Sequence, residues 1–416
     1  MKKGIFLSTR LLFSLNILFL LLLISHCNFS FTQGVWTQKA DLPGAIRTSA
    51  IGFSFSNCGY LGFGTNQISG PHNDLWRYDP ASNTWAQKAA FGGLASIANT
   101  VAFSIANKGY IGTTIGSNYK DFWEYDTTAN TWTQKADFGG AGRWGAAGFS
   151  IGNKGYIGTG YNSTNGHLKD FWEYDPANNS WLKKTDFGGT ARMNATGFSI
   201  GNKGYIGTGD EGNLFRSDFW EYDPVSNSWT QKADFAGGIA KSMGVGFSIS
   251  NKGYIGTGVD SVTIAYLCDF WEYDPANNSW TQKPDFGGSG RVGAVGFSIG
   301  TKGYIGTGFA AQVMERKDFW EYDPQTIGIK EEEEKNQISV FPNPFHELVN
   351  ISINSKIDFP FDAVLIDISG KEVQKKSGIY SSNFQLMRES LPVGIYILKI
   401  SDHSQEGVFT KRIIAI

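Results

Sequence analysis

From Trp36 to Pro324, short runs of alternating hydrophobic and polar residues return at a fixed spacing. The stretch from Trp132 to Ser180 shows the unit. Ala147 to Ile151 reads as a short strand, Gly152-Asn153-Lys154-Gly155 as a turn, and Tyr156 to Gly160 as the returning strand. Glycine supplies the positive φ that such tight hairpins need. After a variable loop, the aromatic-rich Asp170 to Tyr174 reads as a third strand. Asp175 to Ser180 is turn chemistry, and Trp181 opens a fourth strand. The opening Trp recurs at 36, 85, 132, 181, 229 and 280, at intervals of 47 to 51 residues. A period of about 50 residues marks a propeller or solenoid, and four antiparallel strands per repeat make one propeller blade. The Gly, Ala and Ser of the inner two strands suit crowding around an axis. The Trp and Tyr of the outer two fill the widening wedge between blades.

The offset between repeat and chain ends predicts closure. Trp36 opens a fourth-type strand with no blade before it, and the last unit ends at Pro324 with no Trp after it. The N-terminal strand is expected to complete the last blade, leaving no unpaired edge. The fold class is therefore all-β: a six-bladed β-propeller over 33–324 closed by the N-terminal strand, then a small Ig-like β-sandwich over 338–416. Gly155-Tyr156-Ile157-Gly158-Thr159-Gly160, a loop, Asp170 to Pro176 and a Trp five residues after that Pro resemble the kelch repeat, whose blades form a propeller. The family's paired glycines appear here mostly as Gly-Thr-Gly, with Gly62-Phe63-Gly64 in the first copy and Gly112-Thr113-Thr114 in the second. WD-repeat propellers also have four-stranded blades, but the WD dipeptide is missing.

The ends differ from the repeats. Met1-Lys2-Lys3 and Arg10 precede the 14 apolar residues Leu11 to Ile24, too short for a spanning helix of roughly 20 residues and fitting a signal peptide, 1–32, cleaved after Thr32. Gln325 to Gln337 carries a solvated charge run and reads as a linker. Beyond it, Ile338 to Phe341, Val349 to Ile353, Ala363 to Ile368, Ile395 to Ile400 and Val408 to Ile414 read as short strands of a sandwich. Phe341-Pro342-Asn343-Pro344, Asp367 to Lys371, Leu391 to Tyr396 and the closing Lys411 to Ile416 resemble the C-terminal sorting domain of type IX secretion substrates. The resemblance implies a Gram-negative bacterium of the Bacteroidota, export through the periplasm, and release or attachment outside the outer membrane. The secretion machinery is the partner it implies, with no transmembrane anchor in the mature chain.

Composition narrows the chemistry. The 416 residues include 52 glycines and 15% aromatics, and net charge is −2, so nucleic-acid binding has no electrostatic support. Cys58 and Cys268 fall in non-neighbouring units, which argues against a disulfide. His72 and His167 are the only histidines in the repeats, no cluster has metal-ligand spacing, and no catalytic set or cofactor motif is discernible.

Two features remain. The loops after each second strand vary and share a face with the connections between units, so a ligand site belongs there. On that face a basic residue stands six places before each first-strand Phe: Arg47, Arg143, Arg192, Lys241 and Arg291, with Ile97 in the second unit. Such a ring of cations would suit an anion such as a carboxylate sugar. The competing and stronger account pairs each with the third-strand Glu of the preceding unit: Glu124–Arg143, Glu173–Arg192, Glu221–Lys241, Glu272–Arg291 and Glu321–Arg47. It also explains why Arg77 in place of the acid is followed by Ile97. The ligand-binding candidates are Trp144, Arg143, Tyr119, Tyr161, Asp210, Phe215, Arg216 and Tyr266, aromatic and polar groups that suit a sugar or a peptide. The functional expectation is an exported, non-enzymatic binding module for a glycan or another protein. A mutarotase-type sugar enzyme and a structural surface component are the alternatives.

Overall fold

In the third repeat the inner strand Ala147–Ile151 meets Lys154–Gly158 across a turn in which Gly152 has φ +57°. Phe171–Asp175 pairs with that second strand, and Ser180–Lys183 lies outermost. Burial follows the pleat: Ala147, Phe149 and Ile151 are buried, while Gly148 and Ser150 are half-buried. Some glycines are fixed by the neighbouring sheet. A Cβ on Gly155 would stand 2.3 Å from the Phe103 ring, closer than any packing tolerates.

The computed structural model describes residues 31–93, 99–113, 119–235, 240–310, 315–329, 338–353, 359–367, 371–388, 391–402 and 408–415. Among these there is no helix. The signal peptide expected over 1–32 lies, up to residue 30, outside the described residues. The chain divides into a unit of Thr32–Gly328 and a unit that includes Ile329–Ile416.

The first unit holds six four-stranded antiparallel sheets, one per repeat. Five are built from consecutive strands. The sixth takes Val295–Ile299, Lys302–Gly306 and Phe319–Ile329 from the last repeat and Phe31–Lys39 from the N-terminus. The offset of the sequence repeat anticipates this junction. Each inner strand neighbours the next, and the sixth neighbours the first. An axial cavity of about 170 Å³ is lined by three consecutive residues from every sheet, Ala146-Ala147-Gly148 in the third. Phe319–Ile329 continues beyond Pro324 into the segment expected as linker. Its partner arrives from the N-terminus, so the chain need not turn back at the Asp-Pro.

Aromatic wedges join the sheets. Tyr156 and Phe171 stack at 5.6 Å, and Tyr222 and Trp229 of the next sheet meet Phe171 edge-on at 4.8 and 5.0 Å, each burying enough area to contribute about 1.5–3 kcal/mol. At the periphery, the Trp181 indole donates to the Ala136 carbonyl of the preceding sheet at 3.1 Å, and Asn179 Oδ1 accepts from the Ala136 amide and the Tyr174 hydroxyl. In the sixth sheet Trp36 donates to Pro284 O. That sheet has no hairpin asparagine, and the residue facing the gap is a proline, which has no N–H to leave unpaired.

The second unit contains a three-stranded sheet of Ile338–Phe341, Leu348–Ile353 and Asn383–Met387. Its four-stranded sheet comprises Glu372–Ile379, Phe361–Asp367, Gly394–Asp402 and Val408–Ala415. Val349 and Ile351 from the first meet Leu365, Leu398 and Ile413 from the second in one buried core.

Candidate functional site

The basic residues resolve first. Arg47, Arg143, Arg192, Lys241 and Arg291 are each 0% exposed. Arg143 donates through Nε to Ala141 O at 3.0 Å and through Nη1 to Thr159 O at 2.8 Å. Its two terminal nitrogens grip Asp170 at 2.6 and 2.7 Å. Trp172 Nε1 adds a third donor to that carboxylate. The same fork joins Arg47 to Asp74, Arg192 to Asp218 and Arg291 to Asp318, with Lys241 on Asp269. Thr159 pays for its role with φ +62°, rare for a β-branched residue; its carbonyl is the one that Arg143 Nη1 reaches. Burial alone would raise the Asp170 carboxyl, but the Arg143 hydrogen bonds and charge outweigh it and hold the group below the usual carboxylate range.

These contacts overturn the expected register. The acid on each cation is the aspartate just before the third strand of its own sheet, not the glutamate of the preceding one. Glu173 instead accepts from the Tyr156 hydroxyl at 2.8 Å and pairs with Lys184 at 3.3 Å. Burial and that bond push the Tyr156 phenol up. Sheets are linked by backbone: Gly160 N donates to Arg192 O at 2.7 Å, Gly209 N to Lys241 O, and Gly308 N to Arg47 O. Arg77 has a different explanation from the one expected. It coincides with Cys58, which stands where the other repeats place a lysine that pairs with the third-strand glutamate or with the aspartate two residues on. Ile97 lies outside the described residues; Asp121 accepts from the Trp123 indole at 3.0 Å. Arg143 therefore belongs to the framework beneath the rim, which corrects its place among ligand-binding candidates.

Above this layer, in every repeat but the second, whose connection and loop start lie outside the described residues, the inter-sheet connection pairs with the start of its own variable loop. Trp144 faces Tyr161 across such a bridge, with ring centroids 5.5 Å apart, and Tyr161 meets His167 edge-on at 5.1 Å. Among the described residues, buried His167 Nε2 has no hydrogen-bond partner. Gly212 of the next sheet lies against this imidazole, its nearest neighbour at 3.9 Å from a Cβ position. Asp210, 4% exposed, accepts from Asn194 Nδ2 at 3.0 Å, from Gly212 N at 3.2 Å and from the Ser242 hydroxyl. Asn194 N donates to Gly145 O at 2.7 Å, which ties this polar group to the residue after Trp144.

The structure thus brings together Trp144, Tyr161 and Asp210 at the junction of the third and fourth repeats. Phe215 flanks them through a bridge to Asp210, and Arg216 is engaged by Glu211 at 2.8 Å. Tyr266 packs on Phe309 in the fifth and sixth repeats, and Tyr119, 40% exposed, lies in the second; neither joins the group. His167, Asn194 and Ser242 are additions that sequence reasoning missed. Residue type gave no signal for Asn194, since its left-handed slot (φ +55°) is filled in the other repeats by Ser49, Asn99, Gly145, Met243 and Gly293. Among the described residues no three His, Cys, Asp or Glu stand close enough to hold a metal ion, and no helix is long and apolar enough to cross a membrane.

The first unit has a β-propeller-like fold. A solved structure titled "Structure of YjhT", of a propeller-type protein, is similar to it with a TM-score of 0.57 at 16% identity, covering 68% of this chain and 95% of that one. Residues 339–415 match the family described as the secretion system C-terminal sorting domain. The chain thus ends in a type IX sorting tail, which indicates export to the cell surface or the extracellular space. No curated protein matches the chain.

Proposed function

We propose that the first unit is a closed six-bladed kelch-type propeller, that the tail is an Ig-like sandwich acting as its export address, and that the mature protein is a surface or secreted module that binds a glycan at the Trp144 rim. The observation that carries the glycan reading is the Trp144–Tyr161 ring pair set beside the Asn194–Asp210–Ser242 hydrogen-bonding group. An aromatic face supplies a platform for the apolar side of a sugar ring, and adjacent polar groups fix its orientation. The closed ring is supported by the cyclic order of inner strands and by the cavity that all six sheets line.

The test is binding of the mature chain to a glycan array, with Trp144→Ala alongside. Saturable binding that weakens about thirtyfold in the variant, as for a Trp hot spot near 2 kcal/mol, supports the reading. Undiminished binding by Trp144→Ala removes the rim from consideration. A folded wild type that binds no glycan shifts the reading to a protein partner. A sugar bound but also interconverted between anomers, seen by NMR, makes the protein an enzyme of the mutarotase type.

A further inference from the structure

We infer that the rim site takes neutral or amino sugars and discriminates against acidic ones; this rests on the glycan reading above. The cations beneath the rim are spent. Arg143, Arg192 and Lys241 are fully buried, and each holds an aspartate of its own sheet at 2.6 Å. Arg143 and Arg192 direct their remaining nitrogens to backbone or side-chain oxygens of the framework: Ala141 and Thr159 for the one, Thr190 and Thr208 for the other. Lys241 reaches the Thr257 carbonyl. None is left for a ligand carboxylate. Arg216, on the Asp210 loop, is neutralised by Glu211.

Asp210 is the opposite case. Its carboxylate is held by three neutral donors, Asn194 Nδ2, Gly212 N and the Ser242 hydroxyl. Among the described residues it forms no ion pair, and it lies in the group that Asn194 ties to the Trp144 connection. An anionic sugar placed on the aromatic platform meets that uncompensated charge. As a general scale, two like charges roughly 8 Å apart at an effective dielectric of about 20 repel by the equivalent of about a thirtyfold loss of binding. A neutral sugar pays nothing of the kind, and a protonated amino sugar gains by the same term.

The test uses the mature chain on an array carrying neutral, amino and uronic-acid versions of the same backbones, at about 20 mM and about 500 mM salt, where screening lengths differ severalfold. The expected result is a neutral-over-uronic preference of roughly thirtyfold at low salt that narrows at high salt, and that Asp210→Asn abolishes. The salt dependence is read on the wild type, so the test stands even if Asp210→Asn fails to fold. Uronic ligands bound as tightly as neutral ones at low salt overturn the inference while leaving the glycan reading intact. Binding to no member of any class overturns the glycan reading and the inference together.

Discussion

Removing the carboxylate of one Arg–Asp fork tests the framework most directly. In Asp170→Ala the Arg143 guanidinium stays fully buried and loses two of its four hydrogen bonds, and the Trp172 indole loses its acceptor. Leaving a buried charge without its partner costs about 3–5 kcal/mol; the 21% exposure of the Asp170 side chain argues for the lower half of that range. Glu173→Ala removes a hydroxyl bond from the buried Tyr156 and a part-exposed lysine pair, worth about 1–2 kcal/mol. All 13 tryptophans lie between Trp36 and Trp320, so urea denaturation followed by Trp fluorescence reports the repeat unit of the full mature chain without interference from the tail. A double-mutant cycle decides the register: Arg192 and Asp218 should couple by more than about 1.5 kcal/mol, and Arg192 and Glu173 should add within about 0.5 kcal/mol. Stronger coupling of Arg192 to Glu173 than to Asp218, or an Asp170→Ala variant within about 1 kcal/mol of wild type, refutes the reasoning.

Two further outcomes follow from the same contacts. Trp36, whose ring lies 5.0–5.1 Å from Phe270, Phe286 and Tyr322, anchors the N-terminal strand; Trp36→Ala should cost about 3–5 kcal/mol and expose the strand around residue 36 to limited proteolysis, and a variant as protease-resistant as wild type contradicts this anchoring. The Asp74, Asp170, Asp218 and Asp318 carboxyls are raised by burial but held below their ordinary value of 3.8 by the overriding Arg contacts. The unfolded chain therefore binds more protons as pH falls, so their contribution is complete above about pH 5 and is lost as pH drops through the depressed folded values. Urea midpoints measured from pH 6 to pH 2.5 should fall in that acid window, and a flat profile there argues against the forks.

How much was legible depended on whether a feature broke the repeat. The pairing of the N-terminal strand into the last repeat's sheet was legible because Trp36 lacks a preceding unit and the last Asp-Pro lacks a following Trp. Pro284 was a readable sign of the same junction, since the missing hairpin asparagine and the missing N–H occur in one place. The partner of each arginine was not legible. Asp170 and Glu173 recur together in nearly every unit, so spacing fits either acid and either neighbouring sheet equally well. The Arg77 and Ile97 coincidence favoured the wrong one; Cys58 in place of a lysine was the informative change.

The sequence alone determined the recurring strand order, the offset that carries the N-terminal strand into the last repeat's sheet, and the sorting tail, because all of these are periodic or local patterns. Only the tertiary structure decided which acid each cation meets and which rim residues converge. Side chains three residues apart on the loop before a strand and on the strand itself point to different neighbours. The sheet packing then buries one acid against the cation and turns the other toward a tyrosine. Trp144, Tyr161, Asn194, Asp210 and Ser242 come from three repeats, and no spacing along the chain encodes the distance between them once the sheets have packed.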